Sequence, residues 1–188
     1  ARLSDELGIA YYDNEIITEI AKRTELAEGY VQHVMENGPT ALMPITIGRT
    51  FYMGADPVME QNNAIYREQS LLVQELAEKS DCVIVGRSAD YILRDKKPLR
   101  LFIYADMESR MERCRKRAPE QEHFTDKELR RHIQDVDKRR SKYYQFFTGQ
   151  TWGEKLNYDL CINSSVLGQE GTVRLIKQYV EDFEARQK

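Results

Sequence analysis

The stretch Cys82-Val83-Ile84-Val85-Gly86-Arg87-Ser88-Ala89-Asp90-Tyr91 constrains the fold of this chain more than any other. Four β-prone, apolar residues run directly into a glycine and then into polar side chains. A run that is apolar on both faces suits a strand buried in the middle of a parallel sheet. Open α/β sheets bind ligands just beyond the carboxyl ends of their strands. Arg87, Ser88 and Asp90 therefore occupy the position where such a sheet carries its site. Arg87 is also the residue type whose planar fork grips phosphate in a bidentate manner.

Patterning elsewhere fits the same class. A helix over 2–7 ends at Gly8, a strand covers Ile9–Tyr12 and stops at Asp13, and Asn14 is placed to cap a helix over Glu15–Arg23. Helices follow over about 26–36 and 58–79, separated by the Gly- and Pro-rich residues 37–57. A strand over Leu99–Ala105 leads to Asp106, a cap for a helix over Met107–Arg117. Beyond a polar break at 118–124, Thr125-Asp-Lys-Glu128 forms a capping box that opens a helix to about Tyr144. The last strand reads as Asp159–Asn163, with an amphipathic helix from Gly168 onward. Strands alternating with helices imply a parallel α/β sheet.

Several classes are set aside by composition. At 188 residues the chain is long enough to bury a core without disulfides or a structural metal. No apolar run reaches the roughly 20 residues of a membrane span, and no segment resembles a secretory signal. Cys82, Cys114 and Cys161 have no C-x-x-C spacing and read as three buried free thiols in a reducing, cytoplasmic compartment. His33, His123 and His132 lack zinc-ligand spacing, so no metal site of their own is expected.

Charge is distributed unevenly. Between residues 110 and 142, twelve lysines or arginines face seven acids, a surplus of +5 within a chain of net charge −3. Such a field in an acidic protein points to a localised anionic ligand. Nucleic acid is not expected, because no basic stripe with interleaved aromatics covers the remainder. Within this region Arg110, Arg113 and Arg117 recur at helical spacing, and Asp137 and Arg140 share a helix face. Phosphoryl transfer depends on positive charge placed around the migrating group. A solvated helix face and a simple intrahelical ion pair are the alternative readings of these residues.

Taken in order, the segments LSDELGIAYYDNEII, DCVIVGRSADYIL, RLFIYADMESRMERCRKR, DVDKRRSKYYQFFTGQTWG and NYDLCINSSVLGQEGTV resemble the nucleoside monophosphate kinases, and in particular the cytidylate kinase-like proteins. The resemblance implies a P-loop kinase three-layer α/β fold. Its single core comprises residues 1–25 and 81–188, with a helical lid at about 113–150 and a monophosphate-binding insertion over 26–80. It implies transfer of the γ-phosphate of ATP, with Mg²⁺, to a CMP- or dCMP-like acceptor. Asp13, Arg87, Ser88, Asp90, Asp137 and Arg140 are then the substrate-binding residues. Arg113, Arg117 and Arg140 are the charge-neutralising catalytic residues, and Arg113, Ser164 and Ser165 lie near the donor nucleotide.

Two features depart from that family's pattern. Where it reads G-R-D, this chain has Gly86-Arg87-Ser88, and the next acid is Asp90. No G-x-x-x-x-G-K-[ST] occurs in the 188 residues, although donor phosphates need a loop of backbone N–H groups. The expectation is that the first strand and its P-loop lie before Ala1. Two alternatives stay open: a phosphotransferase acting on another small metabolite, and a nucleotide-binding module without catalysis. A homodimer is also open, since Met43, Ile45, Ile47, Phe51 and Tyr52 give residues 37–57 the makings of an interface or clamp.

Overall fold

The computed structural model describes residues 1–37, 57–117 and 124–186. Helix α1 (Arg2–Leu7) ends at Gly8, whose φ of 67° turns its N–H onto the Ser4 carbonyl. Strand β1 (Ala10–Tyr12) leads into α2 (Glu15–Thr24) and α3 (Glu28–Asn37). The long α4 (Pro57–Lys79) runs to β2 (Cys82–Ile84) and the single turn α5 (Ala89–Ile92). Strand β3 (Leu101–Tyr104), α6 (Met107–Arg117), α7 (Asp126–Thr148), β4 (Leu160–Asn163) and α8 (Ser164–Ala185) complete the order.

The helix starts read from sequence are mostly built as expected. Asp106 Oδ1 accepts from the Ser109 N–H at 2.7 Å, and Thr125 with Glu128 forms a reciprocal capping box. Asn14 differs: it adopts helical dihedrals at the N-cap and makes no side-chain cap bond. A helical turn opens at Ser164, where the Asn163 side chain accepts from the Ser165 N–H at 3.0 Å. Gly168, non-helical at φ 65°, kinks the chain between that turn and the longer helix that the sequence places from Gly168 onward.

All strand pairing among the described residues is parallel. β1 pairs with β2 in the register Ala10↔Cys82 and Tyr12↔Ile84, while β3 pairs with β4 from Leu101↔Leu160 to Tyr104↔Asn163. At the start of the second pair, Arg100 donates from its backbone N–H and its guanidinium to the Asp159 carboxylate at 2.8–3.2 Å. This anion–cation link fixes where the two strands come into register.

The principal core lies among the helices. Ile16 and Ile20 of α2, Val31 of α3, and Ile65 and Val73 of α4 are 0–1 % exposed and pack in one cluster with Ala89 and Leu93. Each such aliphatic contributes about 1.5–3 kcal/mol by leaving water. Helix α2, which the sequence groups with the core piece 1–25, thus shares its apolar face with the helices of 26–80. A smaller cluster of Met111, Leu129 and Ile133 joins α6 to α7.

Two expectations are corrected here. β2 is not buried in mid-sheet: its residues are half-buried and Val85 is 43 % exposed, because among the described residues β2 has β1 as its single neighbour. Nor are the cysteines three buried thiols. Cys82 is half-buried, whereas Cys114 and Cys161 are exposed. Cys161 alternates along β4 with Ile162, which takes the buried face. Cys114 lies on α6 beyond the Met107 and Met111 contacts that seat that helix. Met43, Ile45, Ile47, Phe51, Tyr52 and His123 lie outside the described residues. Among those that are described, no helix is long and apolar enough to cross a membrane.

Candidate functional site

The chain leaves β2 through three consecutive left-handed residues: Gly86 at φ 68°, Arg87 at 57° and Ser88 at 52°. Glycine adopts this region freely, but each side chain there costs about 1–2 kcal/mol. Ser88 occupies the N-cap position of α5, yet left-handed dihedrals keep its hydroxyl from making the usual cap bond. It is 4 % exposed, and among the described residues its Oγ has no hydrogen-bond partner. The Arg87 carbonyl is held by the Gln69 side-chain amide, which donates to it at 2.8 Å. Gln69 in turn accepts from the Tyr143 hydroxyl at 2.9 Å.

The Arg87 guanidinium makes no salt bridge among the described residues. Burial pushes its pKa below the ordinary arginine value. The Tyr143 phenol and the carboxylates of Asp13 and Glu36 oppose that shift, and the positive field of Arg140 adds to it. A half-buried guanidinium without a salt-bridge partner among the described residues has the chemistry to grip an anion. The structure therefore brings Asp13, Arg87 and Arg140 into one electrostatic neighbourhood. Arg117, at the end of α6, reaches the same region: its charge acts on Tyr11, whose hydroxyl donates to Asp13 Oδ2 at 3.1 Å. Burial raises the Tyr11 pKa, and that hydrogen bond raises it further.

Other candidate residues are held in pairs. Arg110 grips Asp137 through two bonds of 2.6 and 2.7 Å, tying α6 to α7. Asp137 thus pairs across helices and not with Arg140 along its own. Asp90 Oδ2 accepts from the Tyr144 hydroxyl at 2.6 Å, which fastens α5 to α7. The Tyr144 pKa is driven well above the ordinary phenol value, first by burial and then by Asp90.

Arg113 donates to both the hydroxyl and the carbonyl of Ser164, at 2.9 and 3.0 Å. Ser164, 3 % exposed, donates onward to the Tyr104 carbonyl at 3.0 Å. The Ser165 hydroxyl accepts from the Asp106 N–H at 2.8 Å. These contacts gather Arg113, Ser164 and Ser165 at the carboxyl ends of β3 and β4.

Much of the basic surplus is neutralised locally. Arg110–Asp137, Arg115–Asp126, Lys116–Glu112, Arg130–Glu108 and Arg131–Asp135 are ion pairs. Arg117 and Arg140 are among the cations that carry no salt bridge among the described residues; the charge of Arg117 acts on Tyr11 and that of Arg140 on Arg87. Among those residues no group of three His, Cys, Asp or Glu side chains is arranged to hold a metal ion. Mg²⁺ is generally bound through one or two carboxylates together with substrate phosphates, so here it is treated as part of the nucleotide substrate.

Sequence reasoning overlooked Gln69 and Tyr143. Gln69 reads as a polar position of an amphipathic helix, yet it is 0 % exposed. The available signal was its spacing of four from Ile65 and Val73, which puts an amide on the apolar stripe. Tyr143 helps seat α7: Tyr66 of α4 stacks on Phe147 at 4.1 Å, with Tyr143 packed against the same ring.

Comparison with known proteins adds three findings. A family model described as "Cytidylate kinase-like family" matches residues 1–166. An uncharacterized protein from Eubacterium ventriosum ATCC 27560, of known crystal structure, superposes with a TM-score of 0.63 at 22 % identity, covering 96 % of this chain and 88 % of that one. That likeness extends to the fold. No curated protein matches the chain.

Proposed function

The chain belongs to the cytidylate kinase-like family, and on that premise we propose that it transfers the γ-phosphoryl group of MgATP to a nucleoside monophosphate of the CMP or dCMP type. The observation that carries this reading is Arg87: a half-buried guanidinium just past the carboxyl end of a parallel strand, without a salt-bridge partner among the described residues and within the electrostatic reach of Arg140. In this reading Arg87 and Arg140 bind the acceptor phosphate. Asp13, Ser88 and Asp90 line the acceptor side, and Asp137 is oriented there by its bond to Arg110. Arg113 approaches from the donor side, bonded to Ser164, and Arg117 from the side of Tyr11 and Asp13; both offset the charge that spreads over the phosphoryl oxygens in the transition state. Ser164 and Ser165 border the donor nucleotide.

The acceptor oxygen attacks the γ-phosphorus of ATP. The bond to the β–γ bridging oxygen breaks, and ADP leaves with that oxygen. Closure of the helices bearing these arginines excludes water, so the phosphoryl group reaches the acceptor and not solvent. Donor phosphates require a cradle of backbone N–H groups, which none of the 188 residues supplies as a P-loop. β2 and β3 each have one neighbour among the described residues.

The test is ADP release by the full-length protein with MgATP across a panel of nucleoside monophosphates. Stimulation by CMP or dCMP is expected. Stimulation by a non-nucleotide alcohol alone would transfer the reading to a small-metabolite phosphotransferase. Nucleotide binding without turnover would make the chain a non-catalytic module.

A further inference from the structure

Gln69, fully buried on α4, bonds two other elements at once. Its amide N–H donates to the Arg87 carbonyl at 2.8 Å, and its carbonyl accepts from the Tyr143 hydroxyl at 2.9 Å. It is 0 % exposed and Tyr143 is 6 % exposed, so both bonds are shielded from water. A leucine would bury just as well between Ile65 and Val73 and make no hydrogen-bonding demand. What an amide adds is the capacity to donate and accept simultaneously in fixed directions.

Those directions matter because of where each end leads. One end grips the middle residue of the left-handed run Gly86-Arg87-Ser88, a backbone that needs support to persist. The other end grips α7 at Tyr143, one helical turn beyond Arg140. A continuous connection therefore runs from the Arg87 backbone through Gln69 and Tyr143 to the helix that presents Arg140. The two cations of the anion site belong to different elements and repel one another. A chain of buried bonds between their supports sets how far apart they can stand.

We propose that Gln69 and Tyr143 are positioning residues that fix the separation of Arg87 and Arg140, and so tie binding of a phosphate dianion to the seating of α7. This rests on the acceptor-phosphate role given above to the two arginines. Neither Gln69 nor Tyr143 touches the dianion itself.

The experiment is a double-mutant cycle read by equilibrium titration with CMP and, separately, with sulfate, using the full-length protein. Tyr143→Phe deletes one hydroxyl and keeps the ring packed on Phe147, and thermal melts check that it stays folded. Tyr143→Phe and Gln69→Leu are each expected to weaken binding about fivefold or more, the scale of coupling between residues in one network. In an Arg140→Ala background the same changes should cost less than about twofold, because no second cation remains to be placed.

Equal penalties in both backgrounds would overturn the proposal, since a general loosening of the fold does not depend on Arg140. Coupling seen with CMP supports both the inference and the kinase reading. Coupling seen with sulfate while CMP fails to bind upholds the positioning role and rejects the acceptor assignment. Absence of dianion binding by the wild-type protein rejects both.

Discussion

Ser88→Gly should make the protein more stable while weakening its acceptor site. Ser88 sits at φ 52°, a conformation that costs a side chain about 1 kcal/mol relative to glycine. Its hydroxyl is buried without a partner among the described residues, which costs a further 1–3 kcal/mol or so. Against these gains, glycine loses about 0.5–1 kcal/mol in chain entropy on folding. The net expectation is a stabilisation of about 1–3.5 kcal/mol, seen as a rise in Tm of about 2 °C or more for a domain of this size.

Ser88→Ala separates the two contributions. It removes the hydroxyl and keeps the strain, so it should recover about 1 kcal/mol or slightly more. Denaturant unfolding with matched m-values, together with thermal melts, measures both variants. CMP titration should show Ser88→Gly binding more weakly, because the new glycine frees the backbone that aims Arg87. A Ser88→Gly protein that melts below wild type would refute the reasoning. It would mean that the hydroxyl supports the fold and that the left-handed run stores no strain.

Three further outcomes follow from the geometry. The Arg110–Asp137 pair, with side chains 29 % and 28 % exposed, should contribute about 1 kcal/mol after allowance for solvent screening; Arg110→Ala and Asp137→Ala should each lower stability by that much in urea unfolding, and the double variant by less than their sum. Arg100 holds the Asp159 carboxyl below its ordinary 3.8, so the bond's stabilisation is present above the unfolded pKa and is lost as pH falls through the lower folded one. Unfolding between pH 5 and 2 should accordingly show Asp159→Asn losing less stability on acidification than wild type. Gly153 stands at φ 78°, and a Cβ there would meet the Phe102 ring at 3.0 Å; Gly153→Ala should cost about 1–2 kcal/mol in the same assay.

What sequence reveals about this chain follows the range of the interactions. Gly8, Asp106 and the Thr125–Glu128 box act within four residues, and each stands where its local pattern places it. Gly168 marks the kink from which the longer terminal helix runs, while the short turn capped by Asn163 ahead of it went unread. The strand over Cys82–Ile84 was legible, whereas its exposure was not, since burial depends on which neighbours a strand has. At the candidate site, an arginine just after a strand was visible as Arg87. Its left-handed backbone, the orphaned Ser88 hydroxyl and the Gln69–Tyr143 support were not, because they arise from residues 18 to 74 positions apart. Asp137 illustrates the same limit: spacing links it to Arg140, whereas packing of α6 on α7 gives it to Arg110.

The central claim is that Arg87 binds the phosphate of a nucleotide acceptor. Titration of CMP into the full-length protein and its Arg87→Ala variant, with both confirmed folded by their melts, tests it most directly. Loss of a charge-assisted bidentate grip in a half-buried site predicts affinity lower by about tenfold or more, with acceptor-dependent ADP release falling alongside. Undiminished CMP affinity in Arg87→Ala would contradict it.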